Sequence, residues 1–308
     1  MRLTIVVENH TVSQKLLAEW GYCAWLETEA GVVLLDTGGI SHTLTHNLAA
    51  LKLDAGRIRH LALSHGHFDH TSGLIDILRL KPDVHIWAAP SIGRPRLSGA
   101  DAGRASGGGA LLAGLAFTPV APTADICPGV TAFTVPQSER DPRWVCTKNL
   151  FEKTEDGRIA PDSFEDDLSL LVRTEKGASV LLGCAHAGLP NILGYAARHF
   201  GIDRFEAVIG GTHLSSVARE DYPAWMAELA QYNVRRWRPC HCTGFAAAAE
   251  LARRFNDVHR ASAGTVHALL TPGHRFPKPA RMQKAPLPPR PQQSSLSAIF
   301  SYTTWEWN

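Results

Sequence analysis

Four side chains that can bind metal ions lie within six consecutive positions of this sequence, at His65, His67, Asp69 and His70. They follow a short apolar run, and Gly66 allows a tight backbone turn between the first two histidines. Imidazole nitrogens and carboxylate oxygens that converge at about 2.0–2.2 Å hold zinc and related divalent cations. A solvated polar loop would not need this concentration of ligand types. The segment therefore predicts a metal site.

Strands and helices must hold the ends of such a loop. Residues 2–8, 22–28, 31–35 and 58–64 have the apolar runs of β-strands, and 40–53 and 71–82 have helical periodicity. Residues 11–21 are expected to form a capped helix or a loop. The alternation of strand and helix predicts a layered α/β fold.

The second half of the chain repeats this arrangement. Residues 168–184 predict a hairpin, and two amphipathic helices each lead to a strand that ends on a histidine, His213 or His241. His186 follows the second hairpin strand in LLGCAHAG. In the CHC segment at 240–242, strand geometry would place Cys240 and Cys242 on one face and His241 on the other. Either the histidine or the cysteine pair is expected at the site, but not all three.

Composition excludes several classes of protein. The 308 residues include 44% hydrophobic and 19% charged residues with a net charge of +2, which predicts a globular protein without a nucleic-acid or membrane partner. No secretory signal or apolar stretch of membrane-spanning length occurs, so a cytoplasmic protein with six free cysteines is expected. We predict one domain over 1–274, with a flexible glycine-rich excursion at about 94–116 and a disordered proline-rich tail at 275–308.

The pattern His-x-His-x-Asp-His after an apolar strand resembles that of the metallo-β-lactamase superfamily. Asp36 in LLDTGG, one strand earlier, and TSGL after the cluster match as well. The resemblance implies a four-layer αβ/βα sandwich with a dinuclear metal site at one edge between two sheets. It implies that His65 and His67 bind the first cation. Asp69 and His70 would bind the second.

Later strand ends must complete such a site, and the resemblance assigns His186 and His241 to it. Many members carry a bridging aspartate where this chain has Cys184, so either His186 replaces that ligand or Cys184 coordinates as a thiolate. His213 stays open as a ligand, a substrate contact or an acid–base group. The remaining candidates are Asp36, Asp166 and Asp167 as ligands or groups that support them, Asp69 as a catalytic residue, and Arg94 and Arg96 as contacts to a substrate phosphate.

Within the superfamily, the segments VENHT, SHGHFDHTSGL, LLGCAHAGLPNIL, VIGGTHL and HCTG are similar to the dihydropteroate-synthase-like branch. This branch includes 7,8-dihydropterin-6-methyl-4-(β-D-ribofuranosyl)-aminobenzene 5′-phosphate synthase. The similarity implies an enzyme that acts on a phosphorylated or pterin-like small molecule, by hydrolysis or by pyrophosphate-displacing transfer.

Two divalent cations are expected as cofactors, with zinc preferred and manganese or iron as alternatives. The alternative function is a non-catalytic metal-binding sensor or scaffold, which the cysteine at position 184 motivates. A nuclease is disfavoured because the body of the chain lacks a basic stripe. The sequence leaves the oligomeric state open.

Overall fold

Two large sheets form the centre of the computed structural model, which describes residues 1–269. The first sheet contains seven strands: β1 (Arg2–Val7), β2 (Cys23–Thr28), β3 (Gly31–Leu35), β4 (Ile58–Ala62), β5 (His85–Ala88), β8 (Thr118–Pro119) and β17 (Val266–Ala268). Their order is β17-β1-β2-β3-β4-β5-β8. From β3 to β8 the strands pair in parallel, so their carboxyl ends share one edge.

The second sheet contains six strands: β9 (Thr123–Cys127), β10 (Val130–Thr134), β13 (Leu168–Thr174), β14 (Gly177–Leu182), β15 (Phe205–Gly211) and β16 (Trp237–Cys240). Their order is β16-β15-β14-β13-β10-β9, and β14, β15 and β16 pair in parallel. The predicted hairpin over 168–184 corresponds to β13 and β14.

Within residues 1–269, seven α-helices accompany these strands. They are α1 (Ser41–Ala50), α2 (Phe68–Thr71), α3 (Leu74–Leu80), α4 (Ala110–Ala113), α5 (Leu189–Phe200), α6 (Tyr222–Leu229) and α7 (Phe245–Arg254). Among the described residues, none of them is long and apolar enough to cross a membrane.

Successive residues of each central strand contribute to different cores because strand side chains alternate between two faces. In β3, Val33 and Leu35 pack between the two sheets, whereas Val32 and Leu34 pack with Leu44 of α1. The first sheet is therefore covered by helices on one face and by the second sheet on the other.

The second sheet shows the same alternation. Leu170 and Leu181 lie in the core between the sheets, whereas Leu171 and Val180 pack with Ile192 of α5. The layers are thus helix, sheet, sheet and helix. This arrangement confirms the predicted four-layer αβ/βα sandwich.

Residues 11–21, for which helix and loop were both open, form turns and bends without a helix. The side chain of Asn47 in α1 holds this segment, because it accepts a hydrogen bond from the Leu17 amide and donates one to the Leu17 carbonyl. These bonds replace the intrahelical ones that a helix would have made.

The glycine-rich stretch differs from the predicted flexible excursion. Its residues form β6 (Arg96–Ser98) and β7 (Arg104–Gly107), which join β11 (Leu150–Lys153) and β12 (Ile159–Pro161) in a third sheet of order β12-β11-β6-β7. Here glycine permits close backbone contact: a Cβ atom on Gly107 would lie 2.0 Å from the carbonyl oxygen of Gly66. The third sheet therefore packs against the histidine loop. The proline-rich tail predicted over 275–308 lies outside the described residues.

Candidate metal centre

The predicted ligands come from strand ends at one edge of the sandwich. The 65–70 cluster follows β4, Cys184 and His186 follow β14, and His241 follows β16. Because both sheets present the carboxyl ends of parallel strands here, side chains distant in sequence come together.

Three histidines form the first donor set. His65, His67 and His186 are buried, and their donor atoms lie within 4.8 Å of one another. Nε2 of His65 lies 3.0 Å from Nδ1 of His67. The Nδ1 atom of His186 lies 3.2 Å from the carbonyl oxygen of Cys146, which leaves its Nε2 atom buried without a hydrogen-bond partner in the described chain. An unpartnered buried imidazole nitrogen is costly unless a further group, such as a cation, binds it.

Asp69, His70 and His241 form the second donor set. The two Nε2 atoms of His70 and His241 lie 3.2 Å apart. Oδ2 of Asp69 lies 3.3 Å from Nε2 of His241 and 3.9 Å from Nε2 of His70. A carboxylate and two imidazoles around one point make a donor set for a divalent cation.

Cys184 belongs to both sides of the site. Its Sγ atom lies 3.2 Å from Nε2 of His70, and it groups with His65 and His70 as well as with His241 and Cys242. The sulfur therefore occupies a position between the two donor sets. Burial raises the pKa of the Cys184 thiol well above its usual value, and coordination by its thiolate stays a prediction from the sequence.

The CHC segment departs from the strand geometry expected of it. The strand ends at Cys240, whose side chain is buried between the sheets, and His241 adopts a left-handed conformation with φ 49°. The turn redirects the chain, so the side chains of His241 and Cys242 both reach the donor cluster. The sequence predicted either His241 or the pair of Cys240 and Cys242 at the site. The structure instead places His241 and Cys242 there and leaves Cys240 in the core.

The electrostatics keep most of these histidines ready to bind a cation. Burial lowers the pKa of His65 and His186 well below the ordinary value and that of His67 to about 3. Neutral imidazoles are the form that donates a lone pair to a metal ion. Imidazole, carboxylate and thiol groups are donor types that hold divalent cations.

The second donor set carries charge. Burial disfavours the charged form of His70, but Asp36 and Asp69 outweigh it and raise the pKa of this histidine to about 9. Burial would likewise raise the pKa of Asp69, but His70 and His241 hold it below its usual range. The two carboxylates thus favour the protonated form of His70.

Asp36 supports the ligands and is not part of either donor set. Its Oδ2 atom lies 2.6 Å from Nδ1 of His70, and its Oδ1 atom accepts a hydrogen bond from the Ser64 amide at 2.7 Å. The Ser64 hydroxyl donates to Asp36 at 2.6 Å and lies 2.9 Å from Nδ1 of His65. These contacts turn the Nε2 atoms of both histidines toward the site.

Asp166 and Asp167 accept hydrogen bonds from the loops that carry the candidate ligands. Asp166 accepts a hydrogen bond from the Gly66 amide at 2.8 Å, and Asp167 accepts one from the Ala187 amide at 2.8 Å. Each carboxylate thus holds one ligand-bearing loop. Burial raises the pKa of Asp167 to about 6.

Arg94 and Arg96, which the sequence predicted as contacts to a substrate phosphate, both form ion pairs with carboxylates of the chain. Arg96 is buried, with Nε 3.0 Å from Asp162 and Nη2 2.6 Å from Asp166. Arg94 pairs with Glu152 and Glu165. The guanidinium of Arg96 is consequently not exposed to a phosphate group, and it supports the loop at Gly66 instead.

His213 lies beside the first donor set without joining it. Its ring centroid is 4.2 Å from that of His186, and its Nδ1 atom lies 3.0 Å from the Ser216 hydroxyl. Burial, with His241 as a further cause, lowers the pKa of His213 to about 4. It is therefore neutral at neutral pH and can accept a proton.

Sequence reasoning missed two residues that hold His241. Asn9 places its Oδ1 atom 3.0 Å from Nδ1 of His241 and donates to the His241 carbonyl at 3.2 Å. Glu8 accepts a hydrogen bond from the His241 amide at 2.6 Å. The signal that could have found them is a pair of polar residues directly after the apolar run of β1.

The comparisons agree with this geometry. The model of the metallo-beta-lactamase superfamily matches residues 21–145, a span that contains Asp36 and the 65–70 cluster. This match, together with the four-layer sandwich and its edge site, agrees with the sequence resemblance to the metallo-β-lactamase superfamily.

Two proteins and one solved structure are similar to most of this chain. The chain is 28% identical over 252 residues to 7,8-dihydropterin-6-methyl-4-(beta-D-ribofuranosyl)-aminobenzene-5′-phosphate synthase of Methanocaldococcus jannaschii, covering 76% of this chain and 83% of that protein. It is 27% identical over 275 residues to the uncharacterized protein MJ0448 of the same organism, covering 83% and 96%. The crystal structure of Tm1679, described as a metal-dependent hydrolase of the beta-lactamase superfamily, has a TM-score of 0.74 at 26% identity and covers 87% of this chain and 99% of that one.

Proposed function

We propose that this protein is a metal-dependent enzyme that uses two divalent cations, most simply zinc, to act on a phosphorylated or pterin-like small molecule. The observation that carries the proposal is the pair of buried donor sets at one edge of the sandwich, one of three histidines and one of an aspartate and two histidines. When bound, two such cations polarise the reacting group and lower the pKa of a bound water toward about 7.

The relatives support the substrate class. The name of the similar synthase contains both a dihydropterin and a phosphate, and the similar solved structure is described as a metal-dependent hydrolase. Hydrolysis and pyrophosphate-displacing transfer differ in the nucleophile, which is water in the first and an arylamine in the second. Both reactions need a group that accepts a proton from the nucleophile.

Asp69 and His213 are proposed to orient the nucleophile and to accept its proton. Asp69 has an oxygen within 4 Å of two ligand nitrogens and can orient the nucleophile. His213 is neutral and stands outside both donor sets, so it can accept the proton or contact the substrate. His65, His67, His70, His186 and His241 would hold the cations with Asp69 and Cys184.

The test combines metal analysis with turnover. We expect purified protein to bind two equivalents of zinc and to act on at least one of a phosphodiester, a lactone and a pterin pyrophosphate. His67→Ala should abolish both properties, whereas His42→Ala, at an exposed position, should change neither. Protein that holds two cations and binds these compounds without converting any of them would contradict the enzymatic proposal.

The second candidate is a non-catalytic sensor or scaffold, and the position of Cys184 between the donor sets favours it. Comparison of the native protein with Cys184→Asp separates the candidates. A rise from no turnover to measurable hydrolysis would support the sensor. A small-molecule substrate, a cytoplasmic location and the absence of a nucleic-acid partner also remain predictions from the sequence.

A further inference from the structure

Exposed aromatic side chains occur near the candidate metal ligands. Among the described residues, the exposed large hydrophobic side chains include three aromatic ones, Trp20, Phe68 and Phe245, which are 56%, 49% and 82% exposed. Each is close to a proposed ligand in space or in sequence. Phe68 separates His67 from Asp69, and Phe245 begins α7 directly after the turn that carries His241.

Trp20 contacts a proposed ligand directly. Its ring centroid lies 5.2 Å from the imidazole of His241, with the planes tilted by 48°. Because more than half of the residue is exposed, indole surface next to the second donor set remains open to solvent. A flat ring bound to this surface would lie beside the second donor set.

The backbone segments that carry Trp20 and Phe68 touch each other. A Cβ atom on Gly39 would lie 2.5 Å from the carbonyl oxygen of Trp20 and 3.3 Å from the Cα atom of Asp69. The Glu19 carboxylate also accepts hydrogen bonds from the amides of Gly39 and Ile40 at 2.7 and 3.0 Å. These contacts hold the segment that carries Trp20 against the segment at Gly39, which in turn packs against Asp69, the residue after Phe68.

Fixed, exposed aromatic surface is unfavourable in water and favourable under a planar ligand. A ligand that stacks on a preorganised side chain loses less conformational freedom on binding than one that must order a loop. We therefore propose that Trp20 and Phe68 form a stacking subsite for a planar heteroaromatic ring of the substrate, next to the donor set that contains His241. This inference rests on the proposed function and adds to it the part of the substrate that determines specificity.

The test measures ring binding and phosphate binding separately on the zinc-loaded full chain. Unsubstituted pterin is the ring probe, and inorganic pyrophosphate is the probe for the metal centre. Calorimetry should show that Trp20→Ala and Phe68→Ala each weaken pterin binding roughly tenfold, a factor that corresponds to 1.4 kcal/mol. Trp20→Phe should restore most of the affinity because it keeps an aromatic face.

Ile159→Ala is the matched control, since Ile159 is 57% exposed on β12 and distant in sequence from every proposed ligand. It should leave pterin binding unchanged, and no variant should change the zinc content or the pyrophosphate affinity. Unchanged pterin binding in both alanine variants, or no pterin binding by a native protein that binds pyrophosphate, would overturn the inference.

The same experiments distinguish two further outcomes, a dimer contact at Trp20 and a failure of the protein to bind zinc. A native dimer that dissociates when Trp20 is replaced by alanine, with pterin binding unaltered, would assign the aromatic residues to contact with a second copy and overturn the inference. Failure of the native protein to bind zinc would refute the proposed function itself, whereas loss of the ring effect alone refutes only the subsite.

Discussion

Replacing Arg96 by methionine should destabilise the fold strongly, because its guanidinium joins two buried carboxylates. Asp162 and Asp166 pair with it at 3.0 and 2.6 Å, and all three side chains are shielded from solvent. Burial raises the pKa of Asp162 to about 6 even with the arginine beside it. Methionine has a similar volume but leaves both carboxylates without a counter-charge.

Removing one partner of a buried ion pair typically costs about 3–5 kcal/mol. An exposed pair is worth roughly 0–1 kcal/mol. Arg158 and Asp156 form such an exposed pair in the same third sheet, between β11 and β12, so Arg158→Met is the matched control. Urea unfolding of the metal-free protein, followed by tryptophan fluorescence, measures the free energy of unfolding of each variant.

Zinc affinity gives a second readout for Arg96→Met. Asp166 receives the Gly66 amide, so a displaced Asp166 should move the loop between His65 and His67 and weaken the first donor set. A loss of stability no larger than that of Arg158→Met would refute the structural role. A raised KM with an unchanged free energy of unfolding would instead support the sequence prediction that Arg96 contacts a substrate phosphate.

The remaining predictions concern the site. Asn9→Ala should weaken zinc binding about 10–100-fold in a chelator competition, because His241 loses the contact at Nδ1, whereas exposed Asn256→Ala should not. Cys184→Ser should remove the sulfur-to-metal charge-transfer absorption of cobalt-loaded protein; an unchanged spectrum would exclude the thiolate ligand. The free energy of unfolding of metal-free protein should contain a contribution from His213 that falls as the pH drops from about 6.5 to about 4, since burial lowers its folded pKa to about 4 and the unfolded histidine binds the proton first. His213→Gln should make that fall smaller, and an equal pH profile for both proteins would contradict this.

The central fold and the donor cluster could be predicted because their signals are local. Val32 to Leu35 are apolar without interruption, as expected for a strand covered on both faces. The 65–70 cluster is contiguous, so its chemistry is visible before any fold is known. His186 and His241 followed because each comes after an apolar strand that leads to the same edge.

Other features depend on contacts between distant segments. Asn9 reaches His241 across 232 positions, and no spacing in the sequence encodes that distance. The role of Arg96 is set by the third sheet, whose short strands β6 and β7 have no clear apolar alternation. Glycine in that stretch indicated flexibility, but Gly107 serves close backbone packing against Gly66 instead.

Hydrogen bonds to the ligands and to their loops determine how metal binding is coupled to folding. Asp36 orients His70, Asp166 holds the loop at Gly66, and Asn9 orients His241, so hydrogen bonds within the chain position ligands of both donor sets. Cations should then bind a preformed site and stabilise the native state by mass action, about 2.7 kcal/mol at a free concentration 100 times Kd. A metal-free protein that unfolds cooperatively and refolds without zinc would fit this argument, whereas a chain that folds only when zinc is added would show that the cations build the edge themselves.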